Sequence, residues 1–336
     1  MIKDKNDILR AKTYKDIFSS DKKIAKTEFR EYCKLYHPDV DDSAEAAKLF
    51  NIIKQLYDGN MIKSVEHQVT NETFVFKDEK TLKGFEISNP VIIDNGICTV
   101  YHTATKVVLL YHESYKKFYD NYIKNVESLQ YKDKNMEKEF SRLFPHIVKH
   151  FITTEGQLCI LLNKTPDVIN LGRIVKAYEI NGDKFPEKQA AWIMNRLYNI
   201  ACYNNFYHKA LNGFTLDNIW VSPEMHSVLL FNGWEYMMDI GDAMIGCPKG
   251  VYKVLPIKVR DTKKSSMITD LESIKSIGRK LFSGHDDLTY INKFLQNGVS
   301  SDIPIDEWEL YGNAIKKQFG KREFVVWEDV PYNNKK

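Results

Sequence analysis

Residues 211–233 read LNGFTLDNIWVSPEMHSVLLFNG: a polar segment carrying Asp217 and Asn218, then a β-type apolar run that ends in Phe231-Asn232-Gly233. Before it lies the long helical pattern AAWIMNRLYNIACYNNFYH (190–208). After it come MMDIGDAMIGCPKG (237–250), which reads as mobile, and the helical TDLESIKSIGRKLFSG (269–284). From about Leu171 onward the chain is helix-rich. Toward the N-terminus the character changes to β-type runs rich in branched and aromatic residues: TFVF (73–76), GFEISNPVII (84–93), ICTVYHTA (97–104), KVVLLYH (106–112), KHFITT (149–154) and QLCILL (157–162). Two helical stretches, SYKKFYDNYIKNVESLQ (114–130) and NMEKEFSRLF (135–144), interrupt them, and NKTPDV (163–168) reads as a linker to the helical half.

Residues 9–59 have a different, wholly helical pattern: TYKDIF (13–18), KKIAKTEFREYCKLY (22–36), a polar break HPDVDDS (37–43), and AEAAKLFNIIKQLYD (44–58). Ile24, Ala25, Phe29, Tyr32 and Tyr36 recur at three- and four-residue steps and predict an apolar stripe, while Lys22, Lys26, Arg30 and Lys34 share another face. Ala46, Leu49, Phe50, Ile53 and Tyr57 repeat the pattern, with Ser43 as N-cap and Gly59 as stop. Residues from about 60 to 72 lack periodicity and read as a linker. Pro38 fixes its own φ near −65° and restricts His37, so the break is a pre-organised polar knob beside a cationic helix face. Such a knob loses little entropy on docking, which points to recognition and not to catalysis.

Composition excludes several classes. The 336 residues are 43% hydrophobic and carry 48 Lys and Arg against 45 Asp and Glu, a net charge of +3. That is too little for a dedicated nucleic-acid or membrane binder of this length. MIKDKNDILR carries charges where a signal peptide needs an apolar core, and no apolar run approaches about 18 residues, so a soluble cytoplasmic protein is expected. Cys33, Cys98, Cys159, Cys202 and Cys247 are odd in number and widely spaced, which indicates neither a disulfide framework nor a zinc site. The histidines His146, His150, His208 and His226 are not at metal-ligand spacings. Richness in Lys, Asn, Tyr and Ile suits an A+T-rich genome, bacterial or phage.

His37-Pro38-Asp39 between these two helices, with Phe29-Arg30 and the A-x-x-x-F-x-x-I pattern of AEAAKLFNIIKQLYD, resembles the J-domain of DnaJ-type proteins over about 50 residues. The resemblance implies a co-chaperone: His37, Pro38, Asp39, Lys22, Lys26, Arg30 and Lys34 would dock on an Hsp70 chaperone and stimulate its ATPase. Glu31 and Leu35 depart from the lysines the family often has there. The glycine/phenylalanine-rich and zinc-binding regions of full-length DnaJ are missing, so the client, an unidentified protein, is expected to be chosen by the rest of the chain.

After residue 80, over about 250 residues, the chain follows the order of a protein kinase. The likeness rests on paired strands, a third strand KVVLLY, a helix with Glu137 and Glu139, LFPHIV (143–148), the 211–233 segment and TDLESIKSIG. The resemblance implies a phosphate-holding lysine, a catalytic-loop aspartate, and a metal-holding aspartate and asparagine. At those positions stand Tyr111 for the lysine, Gly213 for the general base, and Phe231-Asn232-Gly233 for D-F-G; Asn218 alone survives. Ile93, Asn95 and Cys98 replace the three glycines of the phosphate loop. Glu139 takes the place of the helix-C glutamate, a solvated surface residue once the lysine is gone, and Asp270 is expected to anchor the catalytic-loop backbone. The reading is therefore a pseudokinase with no cofactor, ATP binding being weak or absent. The alternative is an atypical kinase-fold phosphotransferase built on Asp217, Asp239 or Asp242 with Mg, or an ATP-binding sensor. The expected architecture is α+β multidomain: a helical-hairpin J-domain at 1–60, a linker at 61–72, and a bilobal protein-kinase-like domain at 73–332 with a β-rich N-lobe and a helical C-lobe.

Overall fold

A computed structural model describes residues 3–11, 14–19, 21–36, 40, 41, 43, 45, 46, 48–50, 52, 53, 56, 68–223, 225–321, 327 and 330. The chain divides into two compact units, Met1–Glu66 and His67–Lys336. No helix among the described residues is long and apolar enough to cross a membrane.

The first unit is helical. Asp4 caps α1 (Lys5–Arg10) by accepting from the Asp7 amide at 2.9 Å, and α2 (Tyr14–Ile17) and α3 (Lys22–Tyr36) follow. Residues 45, 46, 48–50, 52, 53 and 56 are helical, and the Ser43 hydroxyl accepts from the Ala46 amide at 3.1 Å, the bond an N-cap supplies. Ile8, Ile17, Phe18, Ala25, Tyr32, Leu49 and Ile53 form a buried apolar cluster. Two expectations change. The helix α1 lies outside the predicted helical pattern, yet it contributes Ile8 to the core. Ile24 leaves the predicted stripe and is 52% exposed, because the buried seam of α3 runs through Ala25, Phe29, Tyr32 and Tyr36, steps of four, three and four that put residue 24 one position off the face.

The second unit opens on strands. An antiparallel sheet runs in the order β1 (Gln68–Val69), β4 (Val91–Asp94), β5 (Cys98–His102), β6 (Lys106–Tyr111), β8 (Leu158–Asn163), β7 (Ile147–Ile152). The central strands KVVLLY and LCILLN are buried on both faces, which is why they read as unbroken apolar runs. The hairpin β2 (Thr73–Lys77) and β3 (Gly84–Ser88) forms a sheet of its own. Gln68 and Val69, read from sequence as linker, pair with Ile92 and Val91. A two-residue edge strand is held by main-chain bonds and leaves no side-chain period to detect. Between β6 and β7 lie α4 (Lys116–Glu127) and α5 (Lys134–Phe140).

After β9 (Ile169–Asn170) the unit is helical. Asn170 caps α6 (Leu171–Asn181), and α7 (Glu187–Phe206), followed along the chain by the short α8 (Lys249–Tyr252) and α9 (Ile257–Thr262), is the axis on which α10 (Met267–Leu281) and α12 (Pro304–Phe319) pack, with α11 (Thr289–Gln296) between them. Trp308 and Tyr311 tie α12 to α7 through Asn195 and the Ala191 carbonyl, each at 2.8 Å. A buried ion pair joins α10 to α12: Lys275 Nζ stands 2.9 Å from Glu307, donates to the carbonyls of Asn297 and Gly298, and lies over the Phe294 ring, while Glu307 accepts from Ser300. Short strands β10 (Lys209–Ala210), β11 (Ile219–Ser222), β12 (Ser227–Leu230) and β13 (Met238–Asp239) frame the segment at the junction of the β-rich and helical halves.

Candidate functional site

The turn between β4 and β5 is a closed hairpin. Asp94 accepts from the Gly96 amide at 2.8 Å, and the Asn95 carboxamide oxygen accepts from the amides of Ile97 at 3.1 Å and Cys98 at 2.8 Å. Gly96 takes the turn at φ +91°. Side chains of the turn itself therefore occupy the backbone N–H groups that would have to cradle phosphate. Ile93 and Cys98 are buried in the flanking strands.

Tyr111 ends β6 fully buried, paired across the sheet with Cys98 on one side and Leu158 on the other. Burial first, and then the neighbouring Glu235, pushes its phenol well above the ordinary value. No cation takes its place. Lys106 lies at the far end of the strand over the Phe85 ring, and His112 accepts from the Ser114 amide as the cap of the next turn.

Glu139 is a solvated surface residue. Glu139 lies on α5, exposed and paired with Arg142 at 3.3 Å. The helix that lies along the segment after residue 230 is α4. Tyr122 donates to the Phe231 carbonyl at 2.6 Å, Asn121 donates to the Glu235 and Met237 carbonyls, and Asn125 to those of Trp234 and Met237. The available signal was Asn121 and Asn125 at i, i+4 beside the aromatic face of Phe118, Tyr119 and Tyr122.

Around residues 211–233, Asp270 on α10 accepts from the Leu211 and Asn212 amides, both at 2.7 Å, and so holds the backbone there. Burial nonetheless pushes its carboxyl up to about 7, against the lowering effect of those two bonds. Gly213 packs on Gly233, and a Cβ built there would stand 3.1 Å from the Gly233 carbonyl, a tight contact; as glycine, the position supplies no base. Asn218 donates to the Gly213 carbonyl at 2.5 Å and accepts from Asn232 at 2.6 Å. Both ends of its carboxamide are thus engaged by protein.

Buried aromatic rings join the β-rich and helical halves. Trp220 of β11 meets His102 of β5 edge-on at 4.7 Å and Phe231 at 5.4 Å, all three buried. Beside them Glu235 is fully buried with Tyr111, Tyr122, Tyr236 and Cys98 around it. Trp220, His102, Tyr122 and Glu235 were not singled out from sequence, since their meaning lies in contacts between distant segments. The cationic and carboxylate positions hold apolar or aromatic groups, the loop amides are taken, and aromatic rings bridge the two halves.

Glu235 also yields a test. One oxygen accepts from the Gly233 amide at 2.7 Å, the other has no hydrogen-bond partner among the described residues, and burial pushes the carboxyl up from its ordinary 4.5 to about 7. Between pH 4.5 and 7 the unfolded chain ionises while the folded chain keeps its proton. Stability from this group therefore falls as pH rises, by about 3 kcal/mol once the interval is passed. Glu235→Gln removes the titration and keeps an acceptor for Gly233. Urea unfolding should give the two proteins similar stability at pH 4.5 and the variant the advantage at pH 8; equal stability at pH 8 contradicts the assignment.

The other carboxylates are engaged elsewhere. Asp217 stands against Gly172 at the start of α6, and Asp239 pairs with Lys209 at 2.9 Å, which holds its carboxyl below the ordinary value. Asp242 is exposed. The segment that read as mobile is pinned: Gly241 and Met244 donate to the carbonyls of Ser265 and Lys263. In the first unit, His37, Pro38, Asp39, Gly59 and the Lys22 side chain lie outside the described residues. Lys26 and Arg30 are exposed on α3, and Lys34 is exposed and paired with Glu31 at 2.6 Å.

No family model and no curated protein matches this sequence. Among solved structures, the BubR1 kinase domain matches at 12% identity with a TM-score of 0.50, covering 80% of this chain and 93% of that one. A rhoptry kinase from Toxoplasma gondii matches at 9% identity with a TM-score of 0.49, covering 74% and 84%. The chain has a kinase-like bilobal fold, with a β-sheet N-lobe and a helical C-lobe.

Proposed function

We propose that this chain is a J-domain co-chaperone whose kinase-like unit is a pseudokinase that serves as a client- or partner-binding adaptor. The observation that carries the second half is the joint replacement of the phosphotransfer groups. Tyr111 is buried in the sheet, Gly213 carries no side chain and packs closely on Gly233, and Phe231 meets Trp220 edge-on. A single positioned acid-base group is worth about 10²–10⁴-fold, so losing the base together with the phosphate lysine and the metal carboxylate leaves no appreciable phosphotransfer. The first half rests on His37-Pro38-Asp39 in its helical setting. A self-contained unit with its own apolar cluster and the exposed cations Lys26, Arg30 and Lys34 on α3 supports it. An Hsp70 of DnaK type is the partner this reading requires.

The test is steady-state ATP hydrolysis by a purified DnaK-type Hsp70 with the full chain, with its His37→Gln variant, and by the full chain alone. The expected result is acceleration by the wild type, return to the basal rate with His37→Gln, and no turnover by the chain itself. Stimulation retained by the variant refutes the role given to the tripeptide. Turnover by the chain alone moves the reading to an atypical phosphotransferase.

A further inference from the structure

The net charge of +3 conceals a local one. From 249 to 264 stand Lys249, Lys253, Lys258, Arg260, Lys263 and Lys264 against the single acid Asp261, so this stretch is more positive than the whole chain and the remainder is net acidic. Asp242, brought alongside where its carbonyl accepts from the Ser265 amide, offsets one further cation and still leaves four in excess. All six cations are exposed. The fold gathers them on one surface. Val251, Leu255 and Val259 form a buried cluster with Met244 and Cys247 packed against it, which seats α8 and α9 from beneath and turns the residues between these three outward. Arg260 of α9 donates to the Lys253 carbonyl at 3.2 Å and stands 5.8 Å from the Tyr252 ring of α8, so the two helices present a continuous face. Lys263 and Lys264 are fixed beside it by main-chain pairing with Met244 and Ala243.

Two apolar side chains project from this face. Ile257 is 76% exposed, the most of any large hydrophobic side chain among the described residues, and Tyr252 is 59% exposed. One exposed isoleucine is ordinary on a protein surface. An isoleucine and a tyrosine set among clustered cations are what a segment needs to lie on an anionic bilayer: the cations draw the headgroups, the aliphatic group enters the acyl boundary, and tyrosine suits the headgroup level. A nucleic-acid strand would use the cations and the ring but has no place for Ile257. An acidic peptide would be held by the cations alone and would leave Ile257 in water. We infer that α8 and α9 form a docking surface for an anionic membrane, with Ile257 and Tyr252 inserted and the surrounding cations on the headgroups. The inference is independent of the co-chaperone reading.

The test is co-sedimentation of the full chain with vesicles of phosphatidylcholine alone and of phosphatidylcholine mixed with phosphatidylserine, at low and at high salt. The chain should come down with the mixed vesicles and not with phosphatidylcholine alone, and high salt should weaken the binding. Each Lys or Arg near an anionic surface strengthens binding about fivefold, so Lys253→Gln combined with Lys258→Gln should weaken it about 25-fold. Ile257→Ser should weaken it about tenfold through lost apolar burial, an effect that salt leaves in place. All three positions are exposed, so the variants keep the fold. No sedimentation with the mixed vesicles, or equal sedimentation with phosphatidylcholine alone, overturns the proposal. Unchanged binding in the double lysine variant or in Ile257→Ser does so too. Binding of a poly-glutamate peptide or a single-stranded oligonucleotide in place of the mixed vesicles would assign the surface to that class instead.

Discussion

Replacing Lys275 with alanine is expected to cost about 3–5 kcal/mol. The ammonium lies in the core between α10 and α12, and it meets Glu307, two carbonyls and the Phe294 ring. Removing it leaves the Glu307 carboxylate charged, dry and held only by Ser300. Most of the loss is the penalty of that stranded charge, not the worth of the pair. Lys275→Met combined with Glu307→Gln removes both charges and keeps an acceptor for Ser300, so the double variant should recover more than half of the loss. Urea unfolding of the wild type, Lys275→Ala and the double variant measures this. A double variant no more stable than Lys275→Ala would show that packing, and not charge, sets the cost.

Asp270→Ala is expected to be comparably damaging, at about 2–6 kcal/mol, because two buried N–H groups lose their acceptor and each such loss costs about 1–3 kcal/mol. The effect should also be local. Leu211 and Asn212 lead directly into Gly213 and Asn218, so amide exchange at residues 211 and 212 should speed up well before the global transition. Asp270→Asn should fall between, since its carboxamide accepts from one amide and turns an N–H toward the other. Unchanged exchange at residues 211 and 212 in Asp270→Ala would mean that neighbouring packing, and not the carboxylate, holds the loop.

What could be read in the sequence followed from how each feature is encoded. The strands KVVLLY and QLCILL are unbroken apolar runs, and α3 carries its core seam at three- and four-residue steps, so composition alone placed them. The positions of Tyr111, Gly213, Phe231 and Asp270 came from their order along the chain, and a hydrogen bond or a contact explains each one. Two things escaped. Gln68 and Val69 pair through the main chain, which leaves no trace in side-chain chemistry. The role of α4 is written in Asn and Tyr, residues that bind carbonyls, whereas the search was for an acid that binds a lysine. The contact of His102 with Trp220 joins residues more than a hundred positions apart, beyond the reach of any local pattern.

The closed turn at residues 94–98 bears on how such a protein could change. Tyr111→Lys, Gly213→Asp and Phe231→Asp are single-codon-scale events in the side chains, but the phosphate-facing groups of a kinase loop are main-chain amides, and here Asp94 and Asn95 already hold them. Point substitution can return side chains without returning a loop of the right length and openness. On the reading proposed above, recovering phosphoryl transfer would therefore take a change in the length and course of the 94–98 loop, and not side chains alone.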